Sequence, residues 1–452
     1  MAAKSGPSDS PQELEPGSPP FTQGYARFAL GILVVVYIFN FIDRQILYIL
    51  LEDIKRDLDL SDTQLGFLGG IAFAIFYSTL GVPIARLADR RSRSSIIAGA
   101  LLIWSGMTAV TGLAQNFWQL ALARVGVGVG EAGCSPPAHS LVSDFFPPGQ
   151  RATALSIYAL GIPIGGAIGL FAGGWLKEIY GWRGTFLIVG LPGILLAALV
   201  RAFLRDPPRG QFDGVAAAGT PSAPESTPSL GDVFGFMRQL RSFRHLAIAG
   251  ALHSLYGYGA GAFLPSFLFR VHEMSAAEVG TYLGGLTLVA GGLGTFLGGA
   301  VGDWTGGRDK RWYLWIPGIG TLLAIPFQFV VYLHSDSQVA ILAMLPSVLF
   351  GTLYLGPTFA MTQSLVRPNM RAVASAVLLL ILNLIGMGLG PQFVGFLSDL
   401  LEPRYGIESI RYALFFTVVP AATWSIVHYV IGAHYLRDDL ERQHQIQDAP
   451  TV

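Results

Sequence analysis

The feature that most constrains this chain is a series of long apolar runs, repeated from near residue 27 to near residue 436. A helix that crosses a bilayer needs about 20 mostly apolar residues, and roughly twelve runs meet that length. Their approximate limits are 27–50, 64–84, 95–114, 117–143, 152–176 and 184–204, then 244–269, 277–302, 312–334, 338–363, 371–400 and 411–436. A closed β-barrel is the other way to satisfy every backbone group in lipid. These runs are too long and too continuously apolar for barrel strands. The expected fold class is an all-α membrane protein with twelve transmembrane helices.

Composition supports that class and removes others. Hydrophobic residues make up 52% of the chain and charged residues 13%, against about 25% charged in soluble domains. Lys plus Arg and Asp plus Glu tie at 29, so no global field attracts polyanions and no nucleic-acid partner is expected. The single cysteine, Cys134, cannot form an internal disulfide. No phosphate loop of the ATP-binding type and no zinc-like His/Glu spacing occurs. Neither an enzyme nor an ATP-driven pump is expected, and no metal or cofactor.

Basic residues set the orientation. With both termini in the cytoplasm, the cytoplasmic segments hold roughly twenty Lys or Arg and the opposite side about seven. Arg86, Arg90, Arg91 and Arg93 form one cytoplasmic cluster, and Arg308, Lys310 and Arg311 another. A multi-pass protein of the cell (inner) membrane is the expectation. Residues 1–22, rich in Pro, Ser and Glu, read as a disordered cytoplasmic tail and not as a signal peptide. A polar stretch at 206–243 reads as a cytoplasmic linker. It separates a six-helix half at 23–205 from a second at 244–437, and 438–452 reads as a second tail. Within the linker, Leu230 to Leu240 can form an amphipathic surface helix.

The halves look related. Leu87-Ala88-Asp89-Arg90-Arg91-Ser92-Arg93 follows the second span, and Val301-Gly302-Asp303-Trp304-Thr305-Gly306-Gly307-Arg308 follows the eighth. Gly161-Ile162-Pro163-Ile164-Gly165-Gly166 in the fifth span has a counterpart in Gly386-Met387-Gly388-Leu389-Gly390-Pro391 in the eleventh. The members of each pair lie about 215–230 residues apart. Internal repeats of this kind mark secondary transporters, with the substrate between the halves near the midplane.

These features together resemble the major facilitator superfamily: twelve spans, a basic loop after the second with a weaker copy after the eighth, and Arg124 opening a Gly-rich fourth span. Within it, residues 37–170 are similar to the Spinster family of sphingolipid and lysolipid transporters. The matches are Asn40-Phe41-Ile42-Asp43-Arg44, Trp104-Ser105, and Arg124 followed by Gly128-Val129-Gly130-Glu131-Ala132, with Ser135, Pro137 and Asp144-Phe145-Phe146. The loop motif departs from the superfamily pattern at Ala85 and Ser92, where Gly is usual. The resemblance implies a monomer of two pseudo-symmetric halves. It implies that Asp89, Arg90 and Arg93 lock the cytoplasmic face, with Asp144 and the start of the eleventh span as partners. Asp303 and Arg308 are the weaker copies of this gate.

Charge inside the spans is concentrated in Asp43, Arg44, Arg124 and Glu131. Each costs about 2.5–3.5 kcal/mol at the bilayer centre on insertion scales and so needs a partner or a wet cavity. Asp43 and Arg44 are adjacent and face about 100° apart, so their partners lie on other helices. Arg124 and Glu131 share a face but are separated by about 10 Å of rise. The expected network pairs Asp43 with Arg124 in one state and brings Arg44 to Glu131. Burial disfavours a charged carboxyl and a nearby Arg favours it. An Arg that moves during transport would therefore exchange with a proton on Glu131 or Asp43. The alternative is a static pair that fixes packing.

Spans of the second half carry almost no charge away from their ends. Their inward candidates are His253, Tyr256, Tyr354, Met361 and Asn383, which with Arg44, Arg124 and Glu131 make the expected substrate site. One charged wall and one apolar wall suit an amphiphile. The expected function is a secondary transporter working by alternating access, proton-coupled, for a sphingolipid or lysophospholipid. The other reading is a proton-coupled transporter of a small organic anion such as a sugar acid. Protons and membrane lipids are the remaining expected partners.

Overall fold

The computed structural model describes residues 21–212, 230–367 and 370–448. The expected N-terminal tail up to residue 20, the centre of the linker at 213–229, and residues 449–452 lie outside these limits. The first half contains α1 (Gln23–Leu58), α2 (Asp62–Ala88), α3 (Arg93–Thr111), α4 (117–145), α5 (148–180) and α6 (182–203). The second contains α7 (Arg241–Val271), α8 (Ala276–Gly306), α9 (Trp312–Leu333), α10 (Ser337–Ser364), α11 (371–405) and α12 (Ser409–Asp448). The surface helix Leu230–Gln239 precedes α7, close to its expected limits.

Eight continuous helical stretches are long and apolar enough to cross a membrane. Two of them, Pro148–Phe203 and Val373–Glu441, contain a break and are long enough for two passes each. Gly181 makes the first break with φ 64°, a conformation that costs little only without a Cβ. A short 3₁₀ turn, Gly406–Glu408, makes the second. With α4 and α7 the series is consistent with twelve passes. The last helix runs on to Asp448, through most of the segment read as a tail.

Several helices are irregular in mid-course. α2 breaks at Gly70, and α4 breaks between Glu131 and Ser135. α8 contains a π-helical turn at Thr287–Gly291 and α11 one at Leu382–Leu389. α10 contains a 3₁₀ turn at Thr352–Tyr354. Such deviations recur where helices line functional cavities.

The packing is uneven along the membrane normal. Towards the termini there are two cores: one built almost entirely from the first half, around Leu33, Trp104 and Leu141, and one from the second, around Leu246, Leu314 and Leu378. Away from the termini one core spans both halves, joining Ile46, Leu50 and Leu65 to Phe263, Phe267 and Val394. Two helix pairs make most of this junction, α2 on α11 and α5 on α8, with α1 touching α7 beside them. In lipid, close packing of small residues drives such contacts. Large apolar side chains such as Trp118, Leu195, Phe296 and Leu342 point outward, as a lipid-facing belt requires.

Candidate functional site

Arg44 of α1 reaches Glu131 of α4 at 2.6 Å from Nε to Oε2. The arginine plane is surrounded by rings, with Phe41, Phe73 and Tyr77 at 4.9, 4.9 and 4.4 Å from its guanidinium carbon. Glu131 ends the first segment of α4, and the glycines before it bring the helix backbone against its neighbours. A Cβ on Gly128 would lie 2.7 Å from the Phe73 carbonyl oxygen, and one on Gly130 would lie 2.6 Å from the Trp104 nitrogen. The stripe Gly126-Gly128-Gly130 is therefore a packing surface that also seats Glu131.

The other expected pair does not form here. Asp43 is fully buried, with the Thr108 hydroxyl and the Trp104 indole as its polar neighbours. Arg124 is buried elsewhere: its Nε donates to the Leu68 carbonyl at 3.3 Å, where α2 breaks before Gly70. That carbonyl lies at the C-terminal end of a helical segment, where a cation is favoured. Arg124 thus supports a helix break and does not line the cavity.

A cavity of about 440 Å³ lies between the halves. Arg44 is the one Lys, Arg, Asp or Glu side chain that lines it, alongside Phe41, Gln45 and Tyr48 of α1. The second half supplies most of the remaining wall, including His253, Tyr256, Tyr258, Gln328, Tyr332 and Tyr354. His253 is held from three sides. Its Nε2 lies 2.6 Å from the Gly351 carbonyl, its Nδ1 3.0 Å from the Tyr256 hydroxyl, and its ring stacks on Tyr354 at 3.8 Å. A carbonyl only accepts, so Nε2 carries the proton, and the Tyr256 and Thr321 hydroxyls lie within reach of Nδ1.

Of the residues expected to contact substrate, Arg44, His253, Tyr256 and Tyr354 line this cavity. Glu131 lies behind Arg44, its Oε1 unpartnered. Met361 and Asn383 do not line it: Met361 is buried in the second-half core, and Asn383 sits in the π-helical turn. The 3₁₀ turn in α10 and the π turn in α11 reset the helical phase, so a face counted at 3.6 residues per turn does not continue through them. Gln45 and Gln328 were not anticipated. Gln328 is a lone amide within an apolar run and Gln45 directly follows the charged pair Asp43-Arg44, and those are the signals that could have found them.

At the termini end Arg93 makes the contacts. Its Nη1 pairs with Asp144 and donates to Ser140 Oγ at 2.9 Å, and its Nη2 donates to the Pro207 carbonyl at 2.8 Å. Asp144 also accepts from the Gly210 amide at 3.0 Å. Asp89 and Arg90 are exposed. Of the expected lock, the structure pairs Arg93 with Asp144, both in the first half; among the described residues no hydrogen bond joins Asp144 to the start of α11. Asp303 accepts from Tyr313 at 3.0 Å, and Arg308 stacks on Trp304.

The opposite end holds a charged cluster that sequence reasoning missed. Arg270 of α7 binds Asp62 of α2 with both terminal nitrogens at 2.7 Å, and its Nε reaches Glu52 of α1 at 2.7 Å. Lys55 Nζ lies 2.8 Å from Asp62, and Ser398 of α11 donates to it at 2.7 Å. These groups sit at span ends, where charge is ordinary, so nothing in the sequence marks them as partners across the halves.

Comparisons with known proteins agree with this architecture. The family model of the Major Facilitator Superfamily matches residues 33–391. An MFS-type efflux pump of Mycolicibacterium smegmatis is 36% identical over 414 residues, covering 91% of this chain and 94% of its own. The sphingosine-1-phosphate transporter SPNS2 of Xenopus tropicalis is 25% identical over 393 residues, 83% of this chain and 74% of its own. A crystal structure of a bacterial homolog of the human lysosomal transporter Spinster, inward-facing and unoccupied, superposes with a TM-score of 0.81 at 31% identity. That match covers 95% of this chain and 100% of the other. The chain is thus a membrane transporter that belongs to the Major Facilitator Superfamily, with Spinster proteins among its relatives.

Proposed function

We propose that this protein carries an amphiphilic lipid of the sphingolipid or lysophospholipid type by alternating access, driven by protons. The observation that carries the reading is the cavity itself: one cation, Arg44, backed by Glu131, in a wall otherwise free of formal charge. A cavity of about 440 Å³ suits a headgroup and part of a chain. Arg favours phosphate and carboxylate groups because its planar fork donates to both oxygens.

The coupling follows from competition. A headgroup anion that takes Arg44 removes the partner of Glu131, and a buried carboxylate without a cation takes up a proton. When Arg44 returns, the proton leaves. Asp43, buried and adjacent to Arg44 in sequence, is the second proton site. With both termini in the cytoplasm, the end shut by the shared core faces outward and the protein lies in the inner membrane as a monomer. The names of the Spinster relatives support a lipid. The amide and hydroxyl groups of Gln45, Gln328, Ser347 and Thr352 on the same wall favour a small polar anion instead.

Liposome transport decides between them. Labelled lysophospholipid, whose phosphate can take Arg44, should move under an imposed pH gradient in wild-type protein, and Glu131→Gln should abolish the gradient dependence. Equal, gradient-independent movement in both would return Glu131 to a packing role. No lipid movement, with uptake of a sugar acid, would replace the lipid reading by the organic-anion one.

A further inference from the structure

The end of the molecule away from the termini is shut by an arrangement that occurs twice. α2 follows Ser61, whose hydroxyl caps it, and the backbone N–H groups of Asp62 and Thr63 donate to Asp399 at 2.9 and 2.7 Å. Asp399 belongs to α11, in the other half. α8 follows Ser275, which caps it in the same way, and the Ala277 N–H donates to Glu178 Oε1 at 2.9 Å. Glu178 belongs to α5, again in the other half. Donor and acceptor in the two cases are related at nearly the spacing of the sequence repeat.

The first N–H groups of a helix have no partner within it and carry partial positive charge. Here a serine of the same half satisfies part of that demand and a carboxylate of the opposite half another part. Glycines let the backbones meet at both places. A Cβ on Gly395 would collide with the Asp62 backbone, and one on Gly174 with the Ala276 carbonyl.

We propose that Asp399 and Glu178 are the two seats of one latch. It holds this end closed, and both carboxylates must leave their helix N-termini for the end to open. The proposal rests on the alternating-access reading. The seats are unequal. Asp399 is half-buried, accepts two N–H groups and adjoins the Asp62–Arg270 pair, whereas Glu178 is exposed and accepts one. Removing Asp399 should therefore have the larger effect.

Distance measurements between spin labels test this without any substrate. The one native cysteine is buried and is replaced first, as Cys134→Ser. Labels at Gln115→Cys and Ser335→Cys report on the latched end, and labels at Gln150→Cys and Lys310→Cys on the other. All four positions are exposed. Asp399→Ala should add a longer distance at the latched end, Glu178→Ala less of it. The double variant should raise the open-to-closed ratio on the order of tenfold. The termini end should shorten in the same fraction of molecules, and Asp399→Glu should restore the closed distance. Unchanged distances, or broadening without a second population, overturn the latch. Lengthening at the latched end with no shortening at the other keeps the latch and overturns alternating access instead. Size-exclusion profiles identical to wild type confirm that each variant is folded.

Discussion

At the scale of single residues, the site depends on two acids placed unlike each other. Glu131 has a cation at bonding distance, whereas Asp43 is buried against the neutral groups of Thr108 and Trp104. A buried polar group left unsatisfied costs about 1–3 kcal/mol, and more if charged. Asp43→Asn removes the charge while keeping the shape. It should lower proton-driven transport while leaving the apparent melting temperature in detergent near that of wild type. A variant that is both less stable and fully active would show that Asp43 holds the fold and nothing more. The sequence made these residues visible because a charge inside an apolar run has no cheap explanation. It could not assign partners, since Arg124 turned to the Leu68 carbonyl, a backbone group that no side-chain pattern announces.

At the scale of elements, span positions were readable because each run is continuously apolar and long. What stayed hidden were the breaks. Gly70 is one of the chain's 56 glycines, and nothing about its neighbours separates it from the rest. The 3₁₀ turn in α10 and the π turn in α11 follow from three-dimensional packing, and they moved Met361 and Asn383 off the expected face. The glycines at helix contacts do allow a prediction. A Cβ on Gly66 would lie 2.5 Å from the Pro391 carbonyl oxygen and 2.9 Å from the Gln392 Cα. Neither backbone atom can yield easily. Gly66→Val should therefore force α2 from α11 and reduce transport at least tenfold while leaving expression intact. Cysteine crosslinking between the two helices, weakened in the variant, is the check.

At the scale of the whole molecule, the halves keep separate cores near the termini and share one at the far end. A chain cut within 213–229 and expressed as two pieces should therefore reassemble through the shared core, and the pieces should co-purify. Pieces that fold only when covalently joined would contradict this. The repeat was legible in the loop after α2 and its copy after α8. The serine caps and their carboxylates, also repeated, were not recognised, because each is an ordinary residue until its partner across the halves is known.

Those paired caps obey the rule of an isologous contact, in which one surface meets a copy of itself and every interaction occurs twice. Each half presents both parts, a serine-capped helix start and a carboxylate one helix away from the fold's midline. A single half thus contains all that is needed to dock on a second half of its own kind, in the same orientation across the membrane, about a two-fold axis along the membrane normal. The present chain amounts to such a dimer written on one polypeptide, and its two unequal seats are where that symmetry is broken.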